Sequence, residues 1–326
     1  MPAPPALGHG GPGGSQLAID PENESRRVRV FHVDAFTTQA FAGNPAGVVL
    51  HAERLREEEM PRIARELHDG DTIFLLPADG PDHDLRARFF TPRGETGFVG
   101  HASIAAHAVL ASLGLPPCPR QKQRTGIVNF ERQADHAGES YAFTQSPPPV
   151  PRPLEEPALA ALLAALSVRS VELDPRCPAV VAGTGGSRAL IAVRDGAMLA
   201  SLQPDLPRLA GLAAAGAPAG CFLYTLAPAV PDCQTEARMF CPALGIPEDP
   251  VSGNAHALLG AYLYGLGLLE AGESGARFIA RQGHHMDRPG SLIVTVFAAG
   301  GLIQAVQVAG HAIIVFDAVI ELPPTP

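Results

Sequence analysis

The sequence predicts a mixed α+β fold of mostly antiparallel strands, in two related halves that each carry one buried helix. Three observations predict it. Strand-like segments follow one another with few helices between them, unlike the strict alternation of a doubly wound parallel sheet. Residues 89–110, FFTPRGETGFVGHASIAAHAVL, and 239–263, MFCPALGIPEDPVSGNAHALLGAYL, repeat one pattern. Finally, the helices expected in the two copies, 102–113 and 255–269, are small or apolar nearly all round, which marks burial and not a surface face.

The elements follow in order. From residue 28 the pattern becomes regular: RVRVFHVDAF, residues 27–36, alternates and is rich in β-formers, so it reads as a strand. AFAGNPAGVVL reads as a turn at Gly43-Asn44-Pro45 followed by a second strand. EEEMPRIARELHDG has acids in its first turn, bases later and a glycine stop, all helix signals. DTIFLLPA and DLRARFFTP read as strands, and HASIAAHAVLASLG as a helix closed by Gly114. Strands containing TGIVNFER and SYAFTQSP run to the proline-rich PPPVPRPLEEP, a linker by composition. Beyond it lie the helix PALAALLAALSV, the hairpin-like PAVVAGTGGSRALIAV, and the strands GCFLYTLAPA and TEARMFCPA. The second repeat helix comes next, and SLIVTVFAAGGLIQAVQVAGHAIIVFDAVIEL ends the chain as successive strands with glycine turns. The organisation expected is a disordered tail over 1–27, an N-terminal half over 28–148 and a C-terminal half over 149–326. The final strands, from about residue 307, pack back on the N-terminal half in this reading.

Composition narrows the function. At 326 residues, length alone suggests about two domains. Hydrophobic residues make up 46% and charged residues 17%, enough for sizeable cores. A net charge of −9 without a basic cluster disfavours nucleic acid and anionic membrane surfaces as partners. Five cysteines with no CxxC suit a reduced, cytoplasmic protein better than a disulfide framework. No metal site is expected: His284 and His285 are adjacent, and read as solvated loop residues. The proline- and glycine-rich first 25 residues lack the basic and apolar regions of a signal peptide, and no membrane span is expected.

The repeat carries a chemical consequence. Each copy has Gly-polar-Ala at its helix mouth, Gly100-His101-Ala102 and Gly253-Asn254-Ala255. A buried helix N-terminus presents unpaired N–H groups and the positive end of its dipole, which water, a cap or an anion must satisfy. Ser252 and Asn254 are ordinary capping types, so plain capping explains either copy alone. Two matched mouths facing across a cleft suit a carboxylate-bearing small molecule instead.

DAFTTQAFAGNPAGVV, FFTPRGETGFVGHASIAAHAVL, EDPVSGNAHALLGAYL and RQGHHMDRPGSL occur in order from about residue 28 onward, and together resemble the phenazine-biosynthesis PhzF-like family. The resemblance implies a diaminopimelate-epimerase-like fold: two pseudo-symmetric halves, each a barrel-like sheet around a central helix, with the active site between them. It also implies isomerase activity that shifts a proton without a cofactor, through a glutamate after the first helix. Members are often homodimers; this sequence itself does not fix an oligomeric state.

Carried onto this chain, the resemblance puts the general acid/base at Asp71, in LHDGDTIFLL, where the family has glutamate. His101 follows the glycine of the first mouth, Asp249 precedes the second, and Asn254 stands in place of a family serine. Aspartate is one methylene shorter, so the reacting carbon must sit differently, and the phenazine substrate itself is not implied. Beside apolar Ile73 and Phe74, the Asp71 carboxyl should be partly desolvated, with its pKa raised. His101, at a helix N-terminus, should be held neutral and joins Asp71 in the catalytic set. Gly100, Gly253, Asp249 and Asn254 are expected to bind substrate, Asp249 through an amino or hydroxyl group. Glu95, the competing acid, is read as a loop or supporting residue. Epimerases of the superfamily use two mouth cysteines, but Val99 and Ser252 occupy those positions, which disfavours two-thiol racemisation. The expected activity is an isomerase acting on a small carboxylated substrate. An epimerase or lyase with the same acid–base set, or a non-catalytic binding relative, are the alternatives.

Overall fold

The computed structural model describes residues 26–67, 70–91, 94–183 and 188–323. The expected tail lies outside these residues up to position 25, whereas Arg27 already opens the first strand.

The N-terminal half contains β1 (Arg27–Ala35), β2 (Asn44–Val49), α1 (Glu59–Leu67), β3 (Asp71–Pro77), β4 (Leu85–Thr91), β5 (Gly94–Thr96), α2 (Gly100–Ser112), β6 (Arg120–Gln123), β7 (Gly126–Asp135) and β8 (Gly138–Gln145). The C-terminal half begins with β9 (Arg152–Pro153), α3 (Ala158–Leu166), β10 (Val180–Ala182), β11 (Arg188–Ala192), α4 (Gly196–Ser201), α5 (Leu206–Ala214), β12 (Gly220–Thr225) and β13 (Thr235–Cys241). It continues through β14 (Ile246–Asp249), α6 (Gly253–Gly265), β15 (Ala271–Gly272), β16 (Gly275–Gln282), β17 (Gly290–Ala299), β18 (Leu302–Gly310) and β19 (Ala312–Glu321). The proline-rich stretch is thus more than a linker, since Arg152 and Pro153 pair with β10.

Strand pairing exposes the repeat. In the first half β1–β2 is antiparallel, β2–β3 parallel, β3–β4 and β4–β5 antiparallel, β4–β6 parallel, and β6–β7 and β7–β8 antiparallel. In the second, β10–β11, β11–β12, β12–β13, β13–β14, β13–β16, β16–β17 and β17–β18 give the same series. Each sheet wraps its own helix, α2 or α6. This is the α+β, pseudo-symmetric, diaminopimelate-epimerase-like architecture.

Two pairings stitch the halves together. β18 runs antiparallel to β8, and β19 runs antiparallel along β1 from Ala312 to Glu321. The last strand, β19, therefore completes the sheet around α2, while β18 joins the sheet around α6 to β8. One apolar cluster follows the same seam, joining Phe36, Ile104 and Phe143 to Val251, Phe278 and Val294. Burial of such apolar surface, worth roughly 25 cal/mol per Å2, is what holds the two units in register.

Both repeat helices are buried along their length, as their all-round apolar composition requires. They begin at Gly100 and Gly253, two residues earlier than the sequence suggests. The glycines are therefore first-turn residues, and packing explains them. A Cβ on Gly100 would lie 2.7 Å from the ring of fully buried Phe143, and one on Gly253 3.0 Å from Phe36. Without side chains at these positions, the helix ends can close on the aromatic pair between them.

Candidate active site

The repeat fixes which positions correspond. Register equates β3–β4 with β12–β13, so Asp71 matches Gly220, Thr91 matches Cys241 and Thr96 matches Asp249. The helix mouths equate His101 with Asn254. One ion pair of the scaffold is the same in both copies. Arg88 bonds Glu95 at 2.8 Å and lies over Phe90, while Arg238 bonds Glu248 at 2.9 Å and lies over Phe240. Glu95 is thus one member of a duplicated ion pair, in keeping with a supporting role. The copies differ at Asp71/Gly220, Thr91/Cys241, Thr96/Asp249 and His101/Asn254, and each of these pairs puts at least one residue on the cleft.

That cleft encloses about 350 Å3, bounded by both helix mouths and by Asp71, Glu95, Phe98, Arg188, Cys241 and Asp249. All six expected site residues line it: Asp71, Gly100, His101, Asp249, Gly253 and Asn254. β3 brings Asp71 in at its first residue, and α2 brings in His101 one residue past its start. Asp71 Oδ2 lies 3.6 Å from His101 Nε2, with the carboxylate side chain 12% exposed and the imidazole 10%. Desolvation raises the Asp71 pKa above the usual carboxylate range; neighbouring His101 opposes the shift and Asp249 adds to it.

Neither helix mouth is closed by its own cap. Val99 has no side-chain acceptor, and the Ser252 hydroxyl makes no cap bond to its helix. It donates instead to Asp249 Oδ2. First-turn residues of both helices therefore stand at the cavity wall, where their unpaired N–H groups and positive dipole ends suit an anion.

Asn254 does not cap its own helix. Its amide donates to Phe98 O at 3.3 Å, across the cleft, and accepts from Gln145 Nε2 at 3.3 Å. At the second helical position its side chain is directed away from its own first turn, so it ties one mouth to the other. Asp249 is likewise more constrained than a simple substrate holder. Besides the serine, it accepts from Asn44 Nδ2 at 2.7 Å, and its backbone carbonyl accepts from Gln282 Nε2 at 2.6 Å. Gln282 in turn accepts from the Ser252 amide at 3.1 Å.

Sequence reading missed Asn44, Gln282, Ser252 as a donor, and Arg188. In sequence, Asn44 is the middle of a Gly-Asn-Pro turn and signals only a turn. Arg188 opens β11, and its counterpart in the first half is Ala46. Nothing local marks either residue; the repeat does mark Arg188 once the strands are aligned.

Cys241 also lines the cleft but is 3% exposed. Burial pushes its thiol well above the ordinary range, and the nearby Asp249 and Asp71 carboxylates push the same way. It is held as a thiol, a poor base or nucleophile. His284 and His285 are not solvated as expected. They form a half-buried turn in which His285 Nε2 lies 3.4 Å from buried Glu236, and burial lowers the His284 pKa. Among the described residues no cluster of three or more His, Cys, Asp or Glu is placed to hold a metal ion. No described helix is long and apolar enough to cross a membrane.

Duplicated half-barrels on either side of a cleft define the diaminopimelate-epimerase-like class of fold. Residues 33–318 match the model of the phenazine biosynthesis-like (PhzC-PhzF) proteins, and the chain belongs to that family. It is 38% identical over 294 residues to the uncharacterized isomerase YddE of Escherichia coli O157:H7, covering 90% of this chain and 98% of the relative. Among solved structures, a Bacillus anthracis protein of the PhzF family superposes with a TM-score of 0.82 at 25% identity, covering 91% of this chain and all of the other. A predicted epimerase from Pseudomonas aeruginosa, PA4716, gives 0.70 at 28% identity, covering 90% and 99%.

Proposed function

We propose that this isomerase shifts a proton between carbons of a small carboxylated substrate, without a cofactor, with Asp71 as general acid/base. The observation that carries the reading is the desolvated Asp71 carboxyl beside His101, at the mouth of two uncapped helices. The helix mouths at Gly100 and Gly253 bind the substrate carboxylate. His101 donates to a substrate oxygen. Asp249 and Asn254, held by the Asn44, Ser252, Phe98 and Gln145 contacts, keep the binding wall in shape.

The step is balanced within the substrate. A C–H bond next to a conjugated or carbonyl system breaks, and its electron pair enters that system. Asp71 takes the proton and returns it to another carbon, so nothing is oxidised or reduced. A carboxyl with a raised pKa suits this shuttle, because it must be a base in one half of the cycle and an acid in the other. Such chemistry belongs in the cytoplasm among soluble metabolites, and calls on no nucleic acid or membrane.

A second reading, epimerisation at one carbon, is favoured by the 28%-identical relative named as a predicted epimerase. It returns the proton to the opposite face of the same carbon. Incubation with small amino and hydroxy acids in deuterated water separates the two. Label at a new carbon marks isomerisation, and label with inverted configuration marks epimerisation. Measurable binding without any exchange would instead make the chain a non-catalytic relative.

A further inference from the structure

We infer that Asn44 is a positioning residue that fixes the tautomer of His101, keeping its single proton on Nε2 and aiming that N–H into the cleft. The inference rests on the reading of His101 as a donor to substrate, but its geometry stands apart from that reading.

The argument starts from what surrounds the Asn44 amide. Its nitrogen lies 2.7 Å from Asp249 Oδ1 and 2.9 Å from the Val251 carbonyl oxygen. A carboxylate oxygen and a backbone carbonyl only accept, so the NH2 end of the amide, and not its oxygen, must face them. The same nitrogen lies 3.3 Å from His101 Nδ1. An amide NH2 has no acceptor capacity, so a proton on Nδ1 would point at another donor. The bare ring nitrogen can accept a share of the amide hydrogens, and the proton therefore resides on Nε2.

Asn44 cannot easily turn away from this duty. It is 4% exposed and opens β2 immediately after Gly43. Gly43 has φ +64°, and a Cβ there would fall 2.1 Å from Ala35 O, so the turn closes only with glycine. The other half clamps it further: Gly43 N–H donates to Pro289 O at 3.1 Å, and Arg288 Nε donates to Gly43 O at 3.0 Å. Asp249 reaches Asn44 from β14, so the device that orients a histidine of one half is built from both.

The other end of the ring completes the picture. His101 Nε2 is buried without a hydrogen-bond partner and sits 3.6 Å from Asp71 Oδ2, too far for a good bond. Facing His101 are Asp71 from β3 and Asp249 from β14, with Glu95 and Arg188 on the same cleft. A substrate oxygen entering between Asp71 and the ring would take the Nε2–H, while the carboxylate addresses the adjacent carbon. The two groups are then divided in role: His101 donates a hydrogen bond, and Asp71 moves the proton.

Long-range 1H–15N spectra of the histidine-labelled full chain report the tautomer directly. The wild-type protein is expected to show His101 with its proton on Nε2; a proton on Nδ1 would overturn the inference without any variant being made. In a chain carrying Asn44→Asp and Asp249→Asn together, the amide–carboxylate pair is reversed and an acceptor faces Nδ1. The proton is then expected to move to Nδ1, and its retention on Nε2 in a folded chain would defeat the proposal. If that pair fails to fold, Asn44→Leu serves: it removes the donor and should give a mixture of tautomers, whereas unchanged Nε2–H would count against Asn44. A His101→Gln variant keeps the two ideas separate. Full exchange activity there would end the catalytic reading of His101 and leave its tautomer assignment intact.

Discussion

At the scale of single residues, the site trades stability for chemistry. Asp71 is buried with its pKa raised by desolvation, so the folded chain holds that proton more tightly than the unfolded chain does. Stability therefore falls as pH rises from the unfolded carboxyl value, about 3.9, through the raised folded value. Asp71→Asn removes this penalty. It should melt higher than wild type at neutral pH, and the gain should vanish at low pH, where Asp71 is protonated in both states. The same variant should lose about 10²–10⁴-fold in deuterium exchange, the usual weight of a general acid or base. A variant with normal exchange would remove Asp71 from the mechanism. Position 71 was legible because a motif carried it; in isolation it reads as a turn aspartate. Asn44 was not legible, because its role depends on Asp249 and Val251, some two hundred residues away in sequence. No local pattern encodes that distance.

At the scale of elements, α2 and α6 were readable in advance because a helix apolar on every side has only one place to go. Their first turns were less so. Glycine before a helical run reads as a boundary, whereas here the helix starts on it, and the reason is Phe143 and Phe36 in the other layer. Gly100→Ala should cost about 1–3 kcal/mol in denaturant melts, since the 2.7 Å approach to a fully buried ring leaves little room to relax. It should also reduce substrate affinity more than turnover, by displacing the N–H groups that hold the carboxylate. A smaller element shows a conventional charge effect. Glu59 opens α1 almost fully buried; the Arg26 guanidinium, with added bonds from Arg56, holds its carboxyl down to about 2. That contribution is complete above the unfolded value of about 4.5 and is lost as pH falls toward 2. Glu59→Gln should therefore destabilise the fold at pH 7 by roughly 1–3 kcal/mol, and hardly at all near pH 2. Equal destabilisation at both pH values would assign the loss to packing instead of charge.

At the scale of the whole molecule, duplication supplies the frame and divergence supplies the chemistry. The repeat was visible in sequence as FFTP and MFCP followed by matching mouths, yet its full extent was not. Seven matching strand pairings emerge only when register is known, because strands such as β6 and β16 share topology but little sequence beyond the matched Gln123 and Gln282. Once aligned, the copies keep Arg-Glu and Arg-Phe pairs and differ at Asp71/Gly220, His101/Asn254, Thr96/Asp249 and Ala46/Arg188. A cleft of this kind works only if the halves hold a fixed separation, and one bridge across the seam bears directly on it. Asp34, 1% exposed, accepts from Arg288 Nη2 at 2.5 Å and from the Phe41 amide at 2.7 Å. Arg288 also donates to Ala42 O and Gly43 O, the residues that lead into Asn44. Arg288→Met removes the guanidinium but keeps much of the stem, leaving a buried carboxylate short of its partner, a loss of about 3 kcal/mol. Because the freed turn is the one that carries Asn44, the expected result is lower exchange activity even at temperatures where the variant is fully folded. A control at a bridge remote from the cleft, Arg132→Met opposite Glu139 on the exposed β7–β8 hairpin, should leave both stability and activity nearly unchanged. If Arg288→Met lost stability yet kept full activity, the cleft would not depend on this seam, and the pairings β8–β18 and β1–β19 alone would have to set its width.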